Sequence, residues 1–283
     1  MNKPFLVSAH GGHSGEFCCH AKNTLEQIIK TYISNGFIWA GITEHMPPVS
    51  DDFLYPLEIQ QGYNAEKIQL RFKQYIKCCK RLKEKYKDQI EILVGFETEA
   101  YTGSFAYAKK LIREERPDYI VGSVHHVNDF DLDSSEATYA DAIKESGSIE
   151  EFYLDYFDLQ LDMIQQLKPS VIGHFDIVRI YDPEYKERIN NPVIFDKIER
   201  NLECIKSMDL SLDYNLKGFL KNAKKPYPTE QILSRAIDIG IKIVPGDDSH
   251  GITTVGLNIE KGIELLQKNG ASTNWSKPNK ISY

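Results

Sequence analysis

The stretch EILVGFE, residues 91–97, is a short apolar run that ends on a carboxylate, Glu97. It reads as a buried β-strand with a chemically useful group just past its end. The same layout recurs on both sides: FLVSAH-GGH ends in His10 and His13, WAGITEH in His45, YIVGSVHH in His125 and His126. VIGHFD carries His174, LSLDYN ends in Asn215, and KIVPGDDSH supplies Asp248 and His250. His20 lies in the loop behind the first run, so these stretches hold every histidine of the chain. Groups at the C-terminal ends of successive parallel strands converge when the sheet closes, because that rim is where barrels build their sites. An open doubly wound sheet binds mainly at one switch point. Five or six strands carrying candidate groups at the same end therefore imply a closed barrel.

Helical stretches separate the runs. Leu25, Ile28, Ile29, Tyr32 and Ile33 have helical spacing, with Asn23 as the expected N-cap and Asn35-Gly36 as the stop. A long charged helix is expected over 64–86, and others near 105–115, up to 168, over 192–208, after Thr229, and over 258–268. Strands are expected near 90–96, 119–124, 171–173, 210–214 and 242–245. Seven strands alternating with helices favour a parallel α/β fold, read as one domain over residues 1–283. Pro47-Pro48 stops the second strand, and PVSDDFLYPLEIQQGY reads as a long loop able to cover substrate.

The bulk numbers narrow the function. A net charge of −7 argues against general nucleic-acid binding and would repel an anionic substrate unless bound cations reverse the local field. Five cysteines without a CxxC spacing fit a reducing compartment. The apolar start, PFLV, is too short for a signal peptide, and no run nears the ~20 apolar residues of a membrane span. A soluble cytoplasmic protein is expected, with oligomeric state open.

Imidazole and carboxylate together suit zinc, iron or manganese. The long lysine-rich helix has no histidine, so the placement at strand ends is not scatter. The motifs HGGHSGEFCCHA, ITEH, GFE, GSVHH, GHFD and GDDSH resemble the series of the polymerase and histidinol phosphatase (PHP) superfamily. HSGEFCCHA, SVHHV and DYNLKG…PYP resemble its histidinol-phosphate phosphatase branch, and the resemblance runs from His10 to His250.

That resemblance implies a distorted (β/α)7 TIM-like barrel with two or three divalent ions at the C-terminal ends of its strands. It implies hydrolysis of a small phosphate monoester, most directly L-histidinol phosphate to L-histidinol and phosphate in histidine biosynthesis. His10, His13, Glu97 and Asp248 would hold the first ion. Glu97 would bridge to the second, with His125 and His174, and His20, His45 and His250 would hold the third. Glu97 is preferred to Glu99 because it fills the glycine-x-glutamate position. The spacing of His10 and His13 departs from the family's His-x-His. Either Gly11-Gly12 bend the chain so that both face the site, or one of the pair is not a ligand.

Around these ions Arg179 is a candidate phosphate contact or a surface residue. Asn215 and His126 are candidate substrate contacts, His126 standing on the rim or on the far side of its strand. Asp248 or water would protonate the leaving group, and Glu97 completes the catalytic set. Asp51, Asp52, Tyr55, Glu58, Asp129 and Asp131 could hold a cationic substrate end or be plain solvent-facing turns. Competing readings are a PHP enzyme for a nucleotide or phosphotyrosine, a metal-dependent amidohydrolase, and a degenerate PHP module that only binds.

Overall fold

Apolar runs become parallel strands because helices cover their outer faces and leave no solvated side. The computed structural model describes residues 4–222 and 224–283; Met1–Lys3, at the head of the segment read for a leader, and Ala223 lie outside the described residues. The strands are β1 (Leu6–Ser8), β2 (Phe37–Ile42), β3 (Glu91–Val94), β4 (Val121–Gly122), β5 (His126–Val127), β6 (Phe130–Asp131), β7 (Val171–Ile172), β8 (Ser211–Asn215) and β9 (Lys242–Gly246). One parallel sheet has the order β1-β2-β3 and a second β4-β7-β8-β9, while β5 and β6 pair as an antiparallel hairpin. The fold is therefore α/β with parallel sheets.

Backbone hydrogen bonds reach between the two sheets. Val121 N donates to Phe96 O at 3.0 Å and Thr98 N to Val121 O at 2.8 Å; on the other side Ala9 N donates to Pro245 O at 2.9 Å. Val7, Trp39, Leu93, Val121, Val171 and Val244, contributed by both sheets, pack in one buried cluster with Ala9 and Tyr119. The Tyr119 hydroxyl crosses this cluster to donate to Ala9 O at 2.6 Å. It passes so close to Gly41 that a Cβ there would lie 1.8 Å from the hydroxyl oxygen, so only glycine fits.

A second, larger core fills the space between strands and helices. The helix Ala65–Tyr86 turns Ile68, Phe72, Tyr75, Cys79 and Leu82 inward at three- and four-residue spacing. Burying each large apolar side chain stabilises the fold by about 1.5–3 kcal/mol. Tyr75 then donates to Ile42 O at 2.7 Å, tying this helix to the end of β2.

Local chemistry moved some expected boundaries. Thr24, not Asn23, is the N-cap of Leu25–Ser34, because its hydroxyl accepts from Gln27 N and completes a capping box, whereas Asn23 sits at φ 70. The long loop contains a 3-10 turn, Asp51–Phe53, and a short helix, Pro56–Gln60. Thr229 precedes Glu230–Asp238, but its hydroxyl makes no capping bond; its N–H donates to Asp176 Oδ2 at 3.0 Å.

Beyond the last helix, Ile259–Lys268, the chain crosses the N-terminal ends of the strands. Trp275 packs on the inner cluster and its indole donates to Phe5 O at 2.8 Å. Ser170 Oγ donates to Asn279 O at 2.5 Å, and Ile281 N to Asp118 O at 2.8 Å. No helix among the described residues is long and apolar enough to cross a membrane.

Candidate metal centre

The opposite, C-terminal ends of the strands bring the imidazoles together around Glu97, which is 1% exposed. His10 Nε2 lies 3.3 Å and His45 Nδ1 3.2 Å from Glu97 Oε2. His174 Nε2 lies 2.9 Å and His125 Nε2 3.3 Å from its other oxygen, Oε1. His13 Nε2 stands 3.9 Å from Glu97 Oε2 and 3.5 Å from Asp248 Oδ1. The glycine pair makes this possible: Gly12 takes φ +75, and a Cβ on Gly11 would meet Tyr32 Oη at 2.3 Å. The turn thus brings both His10 and His13 to face Glu97.

A further group adjoins these. His250 Nε2 is 2.9 Å from His20 Nε2, and its ring stacks on His13 with centroids 4.1 Å apart. Lys217 Nζ lies 3.2 Å from Asp248 Oδ1 and 3.1 Å from His250 Nδ1. The seven imidazoles, Glu97 and Asp248 expected at the strand ends therefore meet in one place.

Two of the rings are oriented from behind by carboxylates. His10 Nδ1 is 2.8 Å from Asp213 Oδ2, and His125 Nδ1 is 2.9 Å from Glu99 Oε2, which turns each Nε2 toward Glu97. Carboxylate-backed imidazoles of this kind are the usual support of metal ligands. Many of the other nitrogens have no hydrogen-bond partner: His10 Nε2, both of His13, both of His45, and His174 Nδ1. Buried polar atoms left so are costly, and a divalent ion would satisfy them.

The electrostatics agree. Burial pulls His13 and His45 down to about 4, so both are neutral with free lone pairs at pH 7. Burial also acts to lower His10 and His125, but Glu97, Asp248 and Asp213 around the first, and Glu99 and Glu97 around the second, outweigh it and hold both well above the usual imidazole value. Carboxylates that draw protons onto imidazoles here would release them when a divalent cation binds. The donor set therefore fits divalent metal use. Suitable sets, with all ligand atoms within 4.8 Å of one another, include Glu97-His125-His174, His10-His13-Glu97, His10-His174-Asp248 and His45-Glu99-His125.

A cavity of about 560 Å³ opens onto the cluster, lined by His20, His45, Glu97, His125, His174, Asn215, Asp248 and His250. Its remaining walls are Tyr55, Pro56, Leu57, Asp133, Ser134, Ser135, Ile177, Lys217, Lys221 and Tyr227. Asn215 is thus on the cavity, its amide donating to Asp213 Oδ2 at 2.9 Å and Asp248 Oδ2 at 3.2 Å.

Arg179 and His126 are not on it. Arg179 is buried: it pairs with Asp176 at 3.1 Å, donates to Pro226 O at 2.7 Å and lies 4.2 Å over the Tyr227 ring. It is neither a phosphate contact nor a surface residue here, because the turn after His174 aims it behind the cavity wall. His126 is enclosed by Phe53, Tyr55 and Tyr101, with Nδ1 3.5 Å from Glu99 Oε2, so it stands behind the cavity wall and not on the rim. Most of the acidic loop groups are also committed to backbone. Asp51 accepts from Ala65 N, Glu58 from Tyr55 N, Asp129 from Thr102 and Asp131 from Asp133 N. Asp133, together with Tyr55, is the acidic-loop residue that borders the cavity.

Asp213, Lys217, Lys221, Tyr227 and Asp133 were not read from the sequence. Asp213 had a signal: it is two residues before Asn215 and so shares its strand face.

The PHP domain family matches residues 11–217, most of the chain. This chain belongs to the PHP family. Curated PHP relatives include the Probable histidinol-phosphatase of Schizosaccharomyces pombe, 36% identical over 94% of this chain and 88% of that protein. The Histidinol-phosphatase of Saccharomyces cerevisiae is 27% identical over 90% of this chain and 86% of that one. Among solved structures, a protein from Listeria monocytogenes superposes with a TM-score of 0.79 at 23% identity, covering 90% of this chain and 99% of its own. The histidinol phosphate phosphatase of Lactococcus lactis, solved with zinc, L-histidinol and phosphate, gives 0.70 at 22% identity, covering 94% of both chains. At these identities the two structures speak for the PHP fold alone.

Proposed function

We propose that this chain is a metal-dependent phosphatase that hydrolyses L-histidinol phosphate to L-histidinol and phosphate, a step of histidine biosynthesis. The observation that carries the reading is Glu97, with two imidazoles on each carboxylate oxygen at 2.9–3.3 Å, at the floor of a cavity of substrate size. The histidinol-phosphatase relative at 36% identity supports the substrate. The proposal includes a single domain whose two sheets are halves of one distorted (β/α)7 barrel. The Ala9–Pro245 and Phe96–Val121 hydrogen bonds and the shared inner cluster support closure.

Two or three ions, zinc, iron or manganese, are assigned as follows. His10, His13, Glu97 and Asp248 would hold one; Glu97, His125 and His174 would hold a second; His20, His45 and His250 would hold a third. When bound there, such ions would supply a lowered water pKa at neutral pH and positive charge for the phosphoryl oxygens. The chain's own groups do the rest. Asp213 and Glu99 fix the rings of His10 and His125. Lys217 and Lys221 add positive charge beside the phosphate, reversing locally the repulsion expected from the net charge. Asp133 and the Tyr55 hydroxyl, which donates to Glu99 at 3.0 Å, face the ammonium and imidazole end of the substrate. Asp248, or water next to it, returns a proton to the leaving alkoxide. A cytoplasmic location belongs to the same proposal, supported by five free cysteines.

The test is phosphate release by purified protein from a panel of esters: histidinol phosphate, nucleotides and a phosphotyrosine peptide. The reading expects the highest kcat/KM for histidinol phosphate; preference for another ester overturns the substrate, and no hydrolysis of any overturns the activity.

A further inference from the structure

The third ion, as proposed, would take His20, His45 and His250, yet a fourth donor, of a different kind, faces the same spot. Cys18 Sγ and one ring nitrogen each of His13, His45 and His250 all lie within 4.8 Å of one another. The sulfur is 3.4 Å from the His20 ring nitrogens. Cys18 is 7% exposed and forms no disulfide. Its position is built by the chain: Cys18 N donates to Ser14 O at 2.8 Å, a single turn that folds the thiol back over His13. His13 is fully buried with neither ring nitrogen partnered, and the ring nitrogens of His45 lack partners as well. A buried structural cysteine sits among apolar groups, as Cys79 does in the core beneath the helix Ala65–Tyr86. Cys18 instead stands among imidazoles.

We infer that Cys18 is a thiolate ligand of the third ion, beside His45 and His250. The inference rests on the metal-dependent reading of the site. Binding forms a sulfur–metal bond and releases the thiol proton to solvent, with no change of oxidation state. A thiolate favours zinc or ferrous iron, whereas the oxygen- and nitrogen-only positions around Glu97 also accept manganese. The centre would then be selective at one position and permissive at the others.

The test uses the full chain stripped of metal and titrated with cobalt(II). Wild type is expected to develop a near-ultraviolet thiolate-to-cobalt charge-transfer band. Cys18→Ser should lose the band and bind its last cobalt equivalent at least about ten-fold more weakly. Cys19→Ser should keep the band, since that sulfur accepts from Arg71 Nη1 at 3.1 Å instead. Cobalt binding without the band in wild type, or a band retained in Cys18→Ser, overturns the assignment. X-ray absorption at the zinc edge of unmodified protein needs no variant: a sulfur neighbour at about 2.3 Å supports it, and a shell of nitrogen and oxygen alone overturns it. Ester hydrolysis measured alongside separates the two ideas. Activity without a sulfur signature removes Cys18 and leaves the phosphatase standing; a sulfur signature without hydrolysis does the reverse.

Discussion

His10 Nδ1 lies 2.8 Å from Asp213 Oδ2, although 203 residues separate them in the chain. The contact fixes the ring so that Nε2 points at Glu97, and both partners are fully buried. Asp213→Asn keeps the shape and removes the charge. Metal affinity is expected to fall about 10–100-fold, read as lost metal content after dialysis, with activity regained at high metal concentration. Unchanged metal content would show that His10 needs no such support.

Metal removal should cost stability as well as activity. Glu97, Glu99, Asp213 and Asp248 are all buried, and Lys217 is the lysine within ion-pair distance of the group, at Asp248. An ion present at 100 times its dissociation constant stabilises by about 2.7 kcal/mol, which for a chain of this size moves Tm by about 5 °C. Chelation followed by a thermal scan, then zinc or manganese addition, checks both the fall and the recovery. A Tm indifferent to metal would contradict the reading of the orphaned nitrogens.

Lys217 touches Asp248 and His250 at the edge of the cavity. In the proposed reaction it would meet phosphate, so Lys217→Ala is expected to lower kcat/KM about ten- to a hundredfold, mainly through KM, as for loss of a charged hydrogen bond. Metal content should be retained. Loss of metal with KM intact would make Lys217 a support for Asp248 instead.

Arg179→Ala should behave as a folding variant. It strips the charged partner from Asp176, which is 0% exposed and is left with the Thr229 N–H, and breaking such a buried pair costs about 3–5 kcal/mol. Urea unfolding should show the loss, while KM of the remaining folded enzyme stays near wild type. A raised KM at full stability would return Arg179 to the phosphate.

Much of the centre was legible because a strand end fixes where its last residue goes. His10, His45 and His174 needed only the shared rim, whereas the choice of Glu97 over Glu99 and of His125 over His126 came from the resemblance to the PHP motifs, since the period of two puts Glu97 and Glu99 on one face. The HGGH spacing was open until the backbone was seen, since φ +75 at Gly12 is what glycine permits without a sequence requiring it. Arg179 was misjudged for a related reason: it follows His174 by five residues, through a 3-10 turn whose direction no hydrophobic pattern encodes. Lys217 lies in the short 3-10 turn Leu216–Leu220 and Asp133 in a loop, where no hydrophobic period marks a position. The acidic loops were left open between a cation-binding end and plain turns, because Asp and Glu bond backbone N–H groups as readily as they bind cations, and Asp51 and Glu58 do the former.

The tail after Lys268 laces the N-terminal ends of the strands, with Trp275 set like a stopper against the inner cluster. The cavity over Glu97 opens at the other, C-terminal ends of the strands. For the proposed reaction, substrate and both products would use that opening, and free phosphate would compete for the place of the substrate's phosphoryl group. Phosphate should accordingly act as a competitive inhibitor, and turnover in a crowded product pool would slow long before substrate ran out.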